Sequence, residues 1–128
     1  METYLRPWKK YADFHGRATR SEYWTFVLIN YAVLFVLVYG SMLSGGGVSE
    51  YQEYQTDPSL GPWFFLYLGF TALAFIPAVA VAVRRLHDTG KSGFWYFLCF
   101  VPFIGGIGLL YFMLQPSEQG DNQFGNFM

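Results

Sequence analysis

The chain has 128 residues, 53% hydrophobic and only 13% charged, against roughly 25% charged in a soluble domain. That deficit, with 22% aromatic residues, argues against an ordinary water-facing surface and points to lipid as the main solvent, where charge is costly. The net charge of -1 hides a strong spatial segregation of charge, and the single Cys99 excludes an internal disulfide framework.

Residues 1–22 are basic and aromatic, with Arg6, Lys9, Lys10, Arg17 and Arg20. The stretch is too polar for the apolar centre of a cleavable signal peptide. Tyr4, Trp8 and Tyr11 recur at helical spacing, and Pro7 is expected in the first turn. The pattern predicts a short amphipathic helix in the headgroup region, its aromatic face dipping toward the acyl chains. Gly16 is expected to end it. Thr19 and Glu22 form a capping box: the hydroxyl accepts one free N–H and the carboxylate reaches back to another.

Residues 24–43 carry no charge. About 20 residues at 1.5 Å rise match a hydrocarbon core of about 30 Å, so this is the first expected span. Its Asn30 reads as a helix–helix hydrogen bond rather than a pore contact. Residues 44–61 form an acidic loop with Glu50, Glu53 and Asp57 and no Lys or Arg. Residues 62–83 are the second span. Pro62 suits a helix start, and Pro77 predicts a kink that frees the Leu73 carbonyl. Thr71 could satisfy a freed group. Ala74, Ala78 and Ala82 give a small-residue stripe that admits close helix packing.

A polar turn follows, with Arg84, Arg85, His87, Asp88 and Lys91. Thr89 and Gly90 supply the reversal, and Ser92 is placed to cap the next helix. Residues 94–114 are again apolar but contain Pro102, Gly105, Gly106 and Gly108. They are either a full span or a re-entrant pair of short helices; the length favours the full span. Residues 115–128 are a polar tail without a basic residue. The expected fold is therefore an all-α membrane protein, a single domain over 1–128. It has three transmembrane helices, preceded by a short amphipathic interfacial helix.

All eight Lys and Arg residues fall before the first span or in the turn after the second. The positive-inside rule puts both segments in the cytoplasm of a multi-pass inner-membrane protein. Three spans then place the acidic loop and the tail outside; a re-entrant third segment would return the tail to the cytoplasm.

Phe14-His15-Gly16-Arg17-Ala18-Thr19-Arg20-Ser21-Glu22-Tyr23-Trp24 resembles the N-terminal signature of the YhaH-like small bacterial inner-membrane proteins, the domain of unknown function 805. The run from Val83 to Trp95 is similar to that family's second signature, and Gly120-Asp121-Asn122-Gln123-Phe124-Gly125 to its tail motif. The resemblance implies a polytopic bacterial inner-membrane protein and no particular activity.

The two signatures bring His15, Arg17, Arg20, Glu22, Arg84, Arg85, His87 and Asp88 to one expected depth. Arginine forks bind phosphate and carboxylate in bidentate geometry, so the expected ligand is an anionic lipid headgroup or another phosphate-bearing group. The bland alternative is that these charges orient the chain and tie helix ends together, Glu22 or Asp88 with an arginine. His15, His87 and Asp88 could ligate a metal or exchange protons near neutral pH, but they have no spacing signature, so no catalytic constellation, metal site or cofactor is expected. The expected partners are membrane lipids, then a homo-oligomer or another membrane protein; nucleic acid is not. A structural or adaptor subunit is the second functional reading, and an oligomeric transporter or channel the third.

Overall fold

The computed structural model describes residues 1–43 and 62–125. The acidic loop expected at 44–61 and the last three residues lie outside that set. The described chain is helical: α1 (Glu2–Lys9), α2 (Arg20–Ser41), α3 (Pro62–Asp88), a 3-10 helix (Gly93–Phe100) and α4 (Ile104–Leu114). Among the described residues the only β pairing is a single bridge between Asn122 and Gly125.

Two of these helices, α2 and α3, are long and apolar enough to cross a membrane. Thr19 caps α2 as its spacing predicts, its Oγ1 accepting from Glu22 N–H at 3.2 Å. The reciprocal half of the box does not form, because the Glu22 carboxylate is spent on an arginine instead. Helix α3 runs through Pro77 as one element, with the proline buried. Thr71 donates to the Tyr67 carbonyl at 2.8 Å, one turn back, and not to the group that Pro77 frees.

The end of α3 is tightly closed. Gly90 adopts φ +77°. Lys91 N–H reaches the Leu86 carbonyl at 2.9 Å, and Gly90 N–H reaches His87 at 3.0 Å. This paired closure satisfies carbonyls that a helix end otherwise leaves open. A side chain at Gly90 would also collide with the Glu118 carboxylate.

The third apolar segment differs from a continuous span. Ser92 Oγ accepts from Phe94 N–H at 3.3 Å and starts the 3-10 helix. Val101, Pro102 and Phe103 then reverse the chain, with Phe103 at φ 63°, and α4 returns against the 3-10 helix. Gly105 permits the closure, since a Cβ there would overlap the Leu98 carbonyl. The segment is a helical hairpin, the second of the two paths open to it, because proline and glycine supply a turn.

The chain packs as two compact units, Leu28–Phe75 and the remainder, Met1–Val27 with Ile76–Met128. In the first, α2 and α3 meet where Gly40 lies under the Trp63 ring; a Cβ at Gly40 would stand 3.0 Å from it. Most of its large side chains among the described residues are exposed, including Leu28, Phe35, Phe65 and Leu73. In the second unit, Phe26, Val81 and Ala18 are buried beneath Tyr4 and Trp8, while Leu86 and Ala82 pack with Leu109 and Met113.

Helix α1 also departs from expectation. Its aromatic edge packs on protein: Tyr4 stacks on Phe26 at 6.0 Å and Trp8 lies 5.8 Å from the same ring. Pro7 falls in the second turn and is buried. The helix stops at Lys9, so Gly16 does not end it; Gly16 turns the following segment at φ +86°.

Candidate functional site

Four charged side chains in the second unit are almost completely excluded from solvent: Glu22, Arg84, Arg85 and Asp88. Arg17 joins them at 4% exposure. Burying charge is costly unless each group is paired and hydrogen-bonded, and here the pairing is extensive.

Asp88 is the hub. Its Oδ1 accepts from Arg17 Nε at 2.9 Å, and its Oδ2 accepts from Arg85 Nη1 and from the Ser117 hydroxyl. Arg17 continues to the tail, donating to the carbonyls of Gly120 at 2.8 Å and Glu118 at 2.6 Å. Arg85 Nε reaches the Met113 carbonyl at 3.3 Å, and its Nη2 reaches that of Gln115. Those carbonyls belong to the open C-terminal end of α4, where cationic donors are favoured. Trp24 Nε1 shares the Met113 carbonyl at 3.3 Å.

A second pair sits beside the hub. Arg84 Nη1 donates to Glu22 Oε1 at 2.8 Å, with Arg6 3.7 Å from the other carboxylate oxygen. Arg84 Nε and Nη2 have no hydrogen-bond partner among the described residues.

The backbone before α2 is laid along the end of α3. Ala18 N–H donates to the Arg84 carbonyl at 3.0 Å, and His87 Nδ1 lies 3.0 Å from the Gly16 carbonyl. The His87 ring stacks on Phe124 at 4.1 Å, nearly parallel. Asn122 Nδ2 donates to the His87 carbonyl at 2.9 Å, and Glu118 N–H to that of Asp88 at 2.7 Å. The tail therefore docks on the Arg84 turn. Both occupy the same end of α3.

Of the eight residues singled out from sequence, six meet here: Arg17, Glu22, Arg84, Arg85, His87 and Asp88. His15 and Arg20 do not join them. The His15 side chain is 98% exposed beside Asp13, and Arg20 faces outward at the start of α2. Sequence reasoning missed Arg6, Ser117, Asn122, Phe124 and the tail carbonyls as members of the site. The tail motif was the visible signal for Gly120, Asn122 and Phe124; Arg6 and Ser117 had none. No group of three or more His, Cys, Asp or Glu capable of holding a metal occurs among the described residues.

These features define a class: small helical proteins with membrane-length apolar helices, tied at one end by a buried knot of ion pairs. The chain belongs to the DUF805 family of proteins of unknown function, whose model matches residues 11–126. It is 41% identical to the inner membrane protein YhaI of Escherichia coli K12, over 98% of this chain and 94% of that one. It is 38% identical to the inner membrane protein YhaH of the same strain, with the same coverage. The uncharacterized protein YiiR is more distant, at 29% over 72% of this chain and 52% of its own length. No solved structure matches.

Proposed function

We propose that this chain is an inner-membrane structural or adaptor subunit, crossing the bilayer with α2 and α3 and holding a folded polar head on the cytoplasmic side. Its kinship with YhaI and YhaH supports the location. The restriction of Lys and Arg to residues 1–22 and 84–91 supports the orientation.

One observation carries the role. The signature charges are turned on each other: Arg17 and Arg85 converge on Asp88, and Arg84 on Glu22. A headgroup cannot reach an arginine that is fully buried and already bound to carboxylate. The knot instead fixes α2, α3, α4 and the tail in one arrangement, which is what a preformed docking module needs.

The test is isolation of the tagged full chain in mild detergent, with protein and lipid of the same sample identified. A stoichiometric membrane-protein partner, lost with Asp88→Asn, is the expected result. A chain that elutes alone overturns the reading.

A second reading rests on the cations that remain exposed. Arg6, Lys9, Lys10 and Arg20 face solvent, and each such residue near an anionic surface contributes about 1 kcal/mol. Anionic lipid that co-purifies and is lost with Lys9→Gln plus Lys10→Gln supports it; lipid recovery unchanged by that pair removes it.

A further inference from the structure

We infer that the hairpin formed by the 3-10 helix and α4 is a re-entrant element that docks into the acyl chains of a single leaflet, the one on the side of the Arg84 turn. Its occupant is lipid.

Four observations converge. First, both ends of the hairpin are held at the same polar head. Ser92 follows the closed end of α3, and Gln115 is bound by Arg85. Second, the lengths suit half a bilayer. Eight 3-10 residues at about 2.0 Å rise give about 16 Å. The 11 residues of α4 at about 1.5 Å give a similar height, against a core of about 30 Å.

Third, the tip is apolar and bare. Phe100, Phe103 and Ile104 are 77%, 90% and 78% exposed, and no charged residue occurs between Ser92 and Leu114. Fourth, most backbone donors at the tip are closed internally. Val101 N–H bonds to Leu98, Ile104 to Pro102 and Gly105 to Val101, while Pro102 has no N–H to satisfy. At the mouth, Lys91 keeps its ammonium 4.7 Å above the Phe112 ring, at the level where a cation meets headgroups.

The leaflet's identity as cytoplasmic rests on the orientation proposed above; the re-entrant path does not. The experiment separates the two. In a Cys99→Ser background, His15→Cys and Gln119→Cys each place a thiol on an exposed site of the head, before and after the hairpin. An impermeant maleimide applied to intact spheroplasts and to inverted vesicles is expected to label both thiols from one side only, the same side. Labelling from opposite sides overturns the hairpin path. Labelling of both from the exterior overturns only the orientation.

A fluorophore on Phe103→Cys in proteoliposomes then reads the docking. Quenching by lipids brominated on their acyl chains, with loss of quenching by aqueous iodide, is expected. Quenching by iodide overturns it. If the thiol variants do not accumulate, an alkaline phosphatase fusion after Met128 of the full chain gives an independent reading. Phosphatase activity matched to that of a fusion before Met1 supports the same path; opposite activities overturn it.

Discussion

The two units of this protein solve opposite problems with the same two helices. Between Leu28 and Phe75, α2 and α3 present large apolar side chains outward, Phe35 at 70% and Phe65 at 61% exposure. At their other ends the same helices bury Glu22, Arg84, Arg85 and Asp88. One unit is apolar outside, and the other is ionic inside. The exposed apolar face leaves helix packing to small residues such as Gly40 beneath Trp63, because lipid tails as apolar as leucine would give no hydrophobic drive between helices. A buried charge, in contrast, fixes its neighbours, because one missing partner leaves an uncompensated ion.

That contrast can be broken most severely at the hub. Asp88→Ala strands both Arg17 and Arg85, and a loss of about 3–5 kcal/mol is expected, read as a lower melting temperature in detergent and as protease cleavage of the tail. Glu22→Gln removes the charge facing Arg84 but keeps a hydrogen-bonding shape, so about 1.5–3 kcal/mol is expected from the same melt. Replacing the pair together, as Glu22→Leu with Arg84→Met, should return most of that loss, because two apolar groups leave no orphan. Gly105→Ala forces a Cβ onto the Leu98 carbonyl and is expected to open the hairpin at a cost of about 1–3 kcal/mol. At the bottom of the scale lies Phe35→Ala in the other unit, where a change within about 0.5 kcal/mol is expected. A large effect at Phe35 with none at Asp88 would invert the comparison.

Much of the local structure was legible. The start of α2 followed from Thr19, the start of α3 from Pro62, and the closure of α3 from Thr89 and Gly90, because caps and turns depend on neighbours in sequence. Apolar run length located two helices for the same reason. The fate of the charges was not legible. Residue type says that Arg17 is cationic; it does not say that its carboxylate lies 71 residues away and a carbonyl partner 103. The third segment stood between two readings. Residues 94–114 have the length of a span, Pro102 and the glycines also allowed a re-entrant pair of short helices, and the fold-back shows only in three dimensions, where Gly105 closes on the Leu98 carbonyl. Tyr4 and Trp8 carried the signature of a lipid-facing edge, but an aromatic ring packs as readily on Phe26 as on a lipid tail.

The order of synthesis gives the Asp88 hub a further consequence. Arg17 emerges from the ribosome well before Glu118 and Gly120, whose carbonyls complete its shell, and Arg85 before Met113 and Gln115, whose carbonyls complete its own. At about 5–20 residues per second, the delay from Arg85 to the tail is on the order of seconds. Through that interval the guanidinium groups must remain hydrated. The nascent chain thus keeps its cations in water while its apolar segments partition, and seals them away only after translation reaches the last stretch.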